Sequence, residues 1–213
     1  MILKFFKNIG LKKKEHPVPL LSNNIHKVLF FNEIINKTKN LEGKIIECGV
    51  GWGRSAFIIS ELSFIHNLNK KIILCDTYDG FPELSEKDME IAGIFKGYYR
   101  APKLSVSEYF KNSKMSDFTN IEYKIGDIKE TLKNFNDDIS LLNLDLDIYS
   151  SYDFALSNLL NKVVSGGAII IDEYNSKKWA NIKDLVDKYM NNKNYKLYKS
   201  NFSKFNRVYF IKL

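Results

Sequence analysis

The apolar positions of this chain follow two alternating patterns from residue 44 onward. Short apolar runs bounded by turn residues alternate with longer segments whose apolar side chains recur at helical spacing. This alternation is typical of β-α-β units that build a parallel sheet covered by helices. The predicted strands are Ile45–Cys48, Ile72–Cys75, Ile121–Ile125, Ile139–Leu144 and Ala168–Ile171, and the predicted helices between or after them are Ser55–His66, Tyr152–Val164 and Lys178–Met190.

The two ends of this region extend the predicted core. Residues His26–Lys39 place their apolar side chains on one face, which predicts an amphipathic helix that caps the sheet. The closing segments Tyr195–Lys199 and Arg207–Ile211 alternate side chains around a polar loop, so we expect an antiparallel hairpin at one sheet edge. A parallel sheet with helices on both faces and a C-terminal antiparallel hairpin resembles the Rossmann-like α/β fold of class I methyltransferases.

We expect one α/β domain over residues 41–213, preceded by an N-terminal arm and the capping helix over residues 1–40. The arm carries Ile2, Phe5, Phe6 and Ile9 at helical spacing among lysines. It is interpreted either as an arm that contacts another subunit or as a peripheral helix on an anionic membrane. The long connection at about 78–118 is interpreted as a substrate lid or as a helical packing layer.

The composition narrows the class of partner. The formal charge is +7, but only three of the 32 basic residues are arginine, which argues against nucleic-acid recognition. Cys48 and Cys75 each end an apolar run, so we expect buried free thiols and a cytoplasmic protein. No apolar stretch reaches the ~20 residues that a transmembrane helix needs. With nucleic acid disfavoured, we expect a small-molecule substrate.

A glycine-rich turn follows the first predicted strand and leads into a helix at Ser55. Glycines at such a turn let the backbone approach a ligand closely. A dinucleotide site would need a third glycine where Arg54 stands. The acid-x-Gly-x-Gly-x-Gly spacing instead resembles motif I of S-adenosylmethionine enzymes, which implies that Glu47 lies near the methionyl amine. The glycines Gly49, Gly51 and Gly53 would then cradle the cofactor, whereas the alternative is a plain tight turn.

Two further acids end the next strands. Asp76 follows Gly53 at close to the interval at which a Rossmann acid meets ribose hydroxyls. Asp127 ends the third strand, where it either accepts from the adenine amine or caps the helix that follows. We add the flanking residues Val50, Ser55 and Thr77 to the candidate cofactor-binding set.

Four carboxylates follow the fourth and fifth strands, at the edge where open α/β sheets bind ligands. They are Asp145, Asp147, Asp172 and Glu173. Like charges at this density repel one another unless a cation neutralises them, and hard oxygen ligands favour Mg²⁺. The alternative is helix capping by Asp147 and Asp172, which leaves Asp145 and Glu173 unexplained.

Several strings along residues 44–174 resemble the macrocin O-methyltransferase family of sugar-modifying enzymes. The matching strings are Glu47-x-Gly49-Val50, Asp76-Thr77-Tyr78-x-Gly80-Phe81-Pro82, Asp145-x-Asp147-x-Tyr149, Gly166-Gly167 and Asp172-x-Tyr174. The resemblance implies a homo-oligomeric enzyme that uses S-adenosylmethionine and Mg²⁺ to methylate a sugar hydroxyl. It implies that Asp145 is the base and that Asp145, Asp172 and Glu173 hold the metal.

The chain departs from the family pattern at three positions near these acids. Glu173 stands where a second aspartate is usual, Leu146 where glycine is usual, and Ser150 where glutamate is common. The extra methylene of Glu173 changes the ligand geometry, so a metal-independent methyltransferase of the same fold is the first alternative. A nucleotide-sugar or nicotinamide oxidoreductase and a non-catalytic binding protein are more remote alternatives.

Overall fold

The computed structural model describes residues 22–91, 93–101, 103–104, 106, 120–191, 194–202 and 207–213. The strands are β1 (Lys44–Cys48), β2 (Ile72–Asp76), β3 (Ile121–Ile125), β4 (Ile139–Leu144), β5 (Val163–Ile171), β6 (Tyr195–Lys199) and β7 (Val208–Lys212). The α-helices are α1 (Ser22–Thr38), α2 (Arg54–Ile65), α3 (Glu86–Met89), α4 (Ile128–Thr131), α5 (Tyr149–Leu159) and α6 (Ala180–Met190). Two 3₁₀ turns, Leu160–Lys162 and Asp172–Asn175, flank β5.

The strands form one sheet in the order β3-β2-β1-β4-β5-β7-β6. The first five run parallel, and β7 pairs antiparallel with both β5 and β6. The predicted class I methyltransferase layout is therefore confirmed. The register aligns Cys48 with Leu144 and Leu144 with Ile171, so the residues that follow β1, β4 and β5 emerge side by side.

Helices cover both faces of the sheet. Because successive side chains of a strand point to opposite faces, Ile45 packs with α1 and α2, whereas Ile46 packs with α5 and α6. Both isoleucines are buried, as expected for parallel strands covered on two sides. The sheet is thus a rigid support for the loops at its carboxyl edge.

The predicted boundary between the helix Tyr152–Val164 and the fifth strand is wrong. The helix predicted to end at Val164 gives way to the 3₁₀ turn after Leu159, and Val163 and Val164 already belong to β5. The strand begins five residues before the predicted Ala168 because Gly166 and Gly167 lie inside it. A Cβ on Gly167 would approach the Val163 side chain to 2.7 Å, so glycine relieves crowding here rather than ending the strand.

Other expectations concern the remainder of the chain. The N-terminal arm at 1–21 and part of the connection at 78–118 lie outside the described residues, so their interpretation stays a prediction. Cys48 and Cys75 are free and buried, as expected. Within the ranges given above, no helix has both the length and the apolar character needed to cross a membrane.

Candidate active site

The carboxyl ends of the central strands open into a cavity of about 610 Å³. The strand order reverses between β1 and β4 at this edge, which is where open α/β sheets bind ligands. Ten predicted site residues line the cavity: Gly49, Val50, Gly51, Ser55, Asp76, Thr77, Asp127, Asp145, Asp172 and Glu173. Glu47 and Gly53 do not line it, since Glu47 lies beneath Ser55 and Gly53 caps α2.

The glycine turn after β1 packs against the segment after β4. Gly49 has φ +84°, and a Cβ at this position would lie 1.7 Å from the backbone oxygen of Asp145. The Asp145 N–H donates to Cys48 O at 2.9 Å, and the Gly49 N–H donates to Cys75 O at 2.9 Å. Only glycine allows this approach, which joins the glycine turn to the acidic cluster.

Asp76 holds the other side of the turn. Its carboxylate accepts from the N–H groups of Val50 and Gly51, each at 2.8 Å, and from the Tyr78 N–H at 2.6 Å. A carboxylate offers about four acceptor sites, so these bonds leave capacity for a ligand hydroxyl. The residue predicted to meet a ribose therefore also orders the loop.

Glu47 is fully buried at the base of the site. Its Oε1 accepts a hydrogen bond from the Ser55 hydroxyl, while its Oε2 has no partner among the described residues. Burial raises the pKa of Glu47 to about 8, and the nearby charge of Lys27 opposes that rise. The Glu47 side chain is therefore a buried acceptor with one unused oxygen, the arrangement that a cationic ligand group would complete.

The buried Glu47 carboxyl predicts a pH dependence of stability. Its folded-state pKa of about 8 exceeds the ordinary 4.5, so this group stabilises the fold below pH 4.5 and loses that contribution as pH rises through 8. Within this window the free energy of unfolding of the wild-type protein should fall by up to about 1.4 kcal/mol per pH unit because of Glu47. We expect Glu47→Gln to abolish this part of the fall. Urea unfolding of both proteins at several pH values tests this. Parallel pH profiles would contradict it.

Three carboxylates meet where β4 and β5 end. One oxygen from each of Asp145, Asp172 and Glu173 can be chosen so that all three lie within 4.8 Å of one another. Burial and the neighbouring charge of Asp172 raise the pKa of Asp145 to about 7. Burial and the charges of Asp145 and Asp172 likewise raise the pKa of Glu173 well above its ordinary value. The repulsion that the sequence predicts is thus present.

Two side chains orient this cluster. Arg207, just before β7, forms an ion pair with Asp172 Oδ1, and the Tyr152 hydroxyl of α5 hydrogen-bonds Glu173 Oε2. Each acid keeps a second oxygen for which the described residues supply no hydrogen bond. Oriented oxygen donors of this kind are suited to a hard divalent cation such as Mg²⁺, so the residues fit a metal.

The alternative interpretation of these acids as helix caps is wrong for Asp147 and Asp172. Ile148 and Ile171 occupy the capping positions of α5 and of the 3₁₀ turn after β5, and neither end has a side-chain cap. Asp147 instead lines the cavity in the left-handed region at φ +60°. For Asp127 the capping interpretation is confirmed, since its side chain accepts from the Lys129 N–H at 3.0 Å. It also lines the cavity, so capping leaves the predicted adenine contact possible.

An aromatic wall lines part of the cavity. Phe81 packs edge-on against Trp179, with ring centroids 6.1 Å apart, and Tyr98 and Tyr99 complete the wall. Lys178 lies over the Trp179 ring at 4.5 Å from its centroid. Sequence reasoning identified the aromatic segment before β3 but missed Trp179. No local pattern distinguishes a helix-end tryptophan that reaches a cavity from one in the core.

Three other residues of the site were missed, namely Lys27, Tyr152 and Arg207. Lys27 lines the cavity from α1, Tyr152 holds Glu173 from α5, and Arg207 holds Asp172 from the position just before β7. The amphipathic pattern predicts the two helices but does not identify which side chain reaches the sheet edge. The chain has only three arginines, and this rarity was the one signal that pointed to Arg207. Its partner Asp172 lies 35 residues away along the chain, so the sequence does not reveal the pairing.

The chain is similar to several known methyltransferases. It is 28% identical over 157 residues to the demethyldecarbamoylnovobiocin O-methyltransferase of Streptomyces niveus, covering 70% of this chain and 59% of that protein. It is 26% identical over 140 residues to the 8-demethyl-8-(2,3-dimethoxy-α-L-rhamnosyl)-tetracenomycin-C 4′-O-methyltransferase of Streptomyces olivaceus, covering 62% of this chain and 53% of that protein. The chain thus spans less than two thirds of the length of these curated relatives.

Solved structures share the fold. The O-methyltransferase NovP superposes with a TM-score of 0.75 at 21% identity, over 88% of this chain and 80% of NovP. The calicheamicin methyltransferase CalS11 gives 0.77 at 19% identity, over 99% of this chain and 89% of CalS11. PaMTH1 of Podospora anserina, solved with S-adenosylhomocysteine bound, gives 0.56 at 16% identity, over 94% of this chain and 90% of PaMTH1.

The sequence model of the macrocin-O-methyltransferase family (TylF) matches residues 24–204. The match runs from α1 through β6 and contains the glycine turn, Asp76 and all four acids of the cluster. It therefore covers every motif on which the resemblance depends. This chain belongs to the macrocin O-methyltransferase family.

Proposed function

We propose that this protein is an S-adenosylmethionine-dependent O-methyltransferase that methylates a sugar hydroxyl with the help of Mg²⁺. The observation that carries the proposal is the contact between Gly49 and the Asp145 backbone. This contact brings the glycine turn and the three-carboxylate cluster into one cavity. A methyl donor and a deprotonated alcohol must meet at one point, and this cavity offers a binding surface for each.

The cofactor would lie along the carboxyl ends of β1, β2 and β3. Glu47 would accept from its ammonium group, and the turn at Gly49–Gly51 would pass beneath it. Asp76 and Thr77 would face the ribose, and Asp127 would lie near the adenine. The family membership supports S-adenosylmethionine as the cofactor, and PaMTH1, which shares the fold, is solved with S-adenosylhomocysteine bound.

The metal would be held by the free oxygens of Asp145, Asp172 and Glu173. A bound Mg²⁺ supplies a positive charge that lowers the pKa of a neighbouring hydroxyl. Arg207 and Tyr152 keep Asp172 and Glu173 in position, so little reorganisation is needed on binding.

Asp145 is the proposed base. Its carboxylate would take the proton of the acceptor hydroxyl, whose oxygen then attacks the methyl carbon as the carbon–sulfur bond breaks and its electrons pass to sulfur. Asp145 lines the cavity beside Asp172 and Glu173, so its carboxylate can reach a hydroxyl placed there. In-line attack on a sulfonium methyl then requires mainly alignment, which the rigid strand ends provide.

A sugar acceptor is supported by two features. The relative from Streptomyces olivaceus is named for an acceptor that carries a rhamnosyl group. The aromatic wall also offers apolar rings against which a sugar can pack. The main alternative is a small-molecule methyltransferase without metal, favoured by Glu173 at the position where aspartate is usual. Calorimetry with S-adenosylhomocysteine and with NAD tests the cofactor, and binding of NAD alone would refute the proposal. Methyl transfer to a panel of nucleotide-linked sugars tests the acceptor.

Removal of divalent ions is expected to stop turnover but to leave cofactor binding intact. The acids of the cluster repel one another, and without a cation the acceptor hydroxyl loses both its anchor and its activation. We expect EDTA to lower the rate by at least about 100-fold, and added Mg²⁺ to restore it. Affinity for S-adenosylhomocysteine should change little. Full activity in EDTA would favour the metal-independent alternative.

A further inference from the structure

Lys27 brings a positive charge to the cavity. It lies on α1, which packs against α2, β4 and β5, and its side chain lines the cavity with Gly49 and Ser55. Among the described residues, no carboxylate lies within 4.0 Å of its ammonium group. Its charge nevertheless acts on the carboxyls of both Glu47 and Asp145. Lys27 is therefore a cation near both acids that forms no ion pair with any described residue.

The same region holds a buried acceptor with no partner, the Oε2 atom of Glu47. Under the function proposed above, this oxygen receives the ammonium group of the donor. An α-amino acid carries its ammonium and carboxylate on one carbon, so the carboxylate must lie within a few ångström of Glu47. A carboxylate so close to buried acids needs its own cation or a set of free N–H groups.

Four of the five backbone amides in the turn Gly49–Gly53 cannot supply those groups. The N–H of Gly49 donates to Cys75 O and that of Gly53 to Val50 O, both at 2.9 Å. The N–H groups of Val50 and Gly51 both donate to Asp76. Four amides of the turn are thus already engaged. Arg54 also lines the cavity, but its side chain is exposed to solvent.

We propose that Lys27 binds the α-carboxylate of the methionine part of the cofactor. Lys27 and Glu47 then form a charge pair that matches the zwitterion, each acting on the opposite charge of one carbon atom. The N-terminal helix thereby becomes part of the cofactor site rather than a cover for the sheet. This inference rests on the proposed function, because it requires a methionine-containing donor.

The test compares two ligands on matched variants by calorimetry. S-adenosylhomocysteine carries the carboxylate, and its decarboxylated analogue keeps the ammonium but lacks it. We expect Lys27→Met to weaken S-adenosylhomocysteine by about 10- to 100-fold and to leave the analogue within a few-fold. Lys27→Arg should keep most of the affinity, which would show that the charge and not the fold was lost. Lys37→Met, on the same helix and outside the cavity, is the control.

Other outcomes overturn the inference. Equal weakening of both ligands by Lys27→Met would assign Lys27 a structural role. Unchanged affinity would remove Lys27 from the site, and a selective loss in Arg54→Gln instead would transfer the role to Arg54. A wild-type protein that binds neither ligand would refute the proposed function itself, which distinguishes the two failures.

Discussion

Asp145→Asn is expected to abolish methyl transfer while leaving affinity for S-adenosylhomocysteine within a few-fold. The amide has nearly the shape of the carboxylate but cannot take a proton from the acceptor hydroxyl. General-base catalysis contributes about 10²- to 10⁴-fold, so we expect a loss of that order in kcat. The backbone contact between Asp145 and Gly49 does not involve the side chain, so the fold should persist. Rates are measured at saturating cofactor and Mg²⁺.

The control for this prediction is Asp147→Asn. Asp147 lines the same cavity, and its left-handed φ of +60° is one that asparagine also accepts. We expect it to lower the rate much less, because its carboxylate is not among the three that converge. A normal rate in Asp145→Asn would remove Asp145 as the base. A loss that excess Mg²⁺ fully restores would reduce its role to metal binding.

Gly49→Ala is expected to be the most destabilising single-methyl change at the site. The added Cβ would lie 1.7 Å from Asp145 O, and the neighbouring atoms are backbone that cannot move aside. The strands β1 and β4 would have to separate at their ends, which breaks the hydrogen bond between Asp145 N–H and Cys48 O. We expect a loss of roughly 3–5 kcal/mol in the free energy of unfolding, the range of the severest single substitutions. Cofactor binding should be lost with it.

Gly51→Ala is the matched control for this change. Gly51 also has a positive φ, of +52°, but a Cβ there meets no atom within 4 Å. The cost should therefore be only the backbone strain of about 1–2 kcal/mol. Urea unfolding of the three proteins measures the difference. Equal losses in the two variants would show that strain, and not the contact with Asp145, dominates at Gly49.

Much of the fold was predictable because its signals are local. The limits of Ile121–Ile125 and Ile139–Leu144 agree with the structure, since apolar runs between turn residues define buried strands. The first half of β5 was missed because Gly166 and Gly167 are read as a turn when their neighbours are unknown. Crowding against Val163, a residue of the same strand, explains why residue 167 is glycine, but only once the backbone path is known.

The candidate site was predictable in part, for the same reason. Residues that directly follow strands, such as Asp145 and Asp172, fall at one sheet edge whenever the strands are parallel. Residues that reach the edge from elsewhere carry no such mark. Lys27 is one lysine among many on a surface helix by its sequence, and only the packing of α1 on the sheet directs it into the cavity.

The sequence by itself determined which segments of the chain form strands and helices, the glycine turn after β1 and the acids at the strand ends. Hydrophobic periodicity and residue spacing reveal these features because each depends only on residues that are close together in the sequence. The tertiary structure alone decided that Gly49 lies against Asp145, that Asp76 holds the turn, and that Arg207 and Tyr152 orient the acids. Those contacts join segments distant along the chain, and they depend on the strand order β2-β1-β4-β5 and on side-chain direction, neither of which local sequence records.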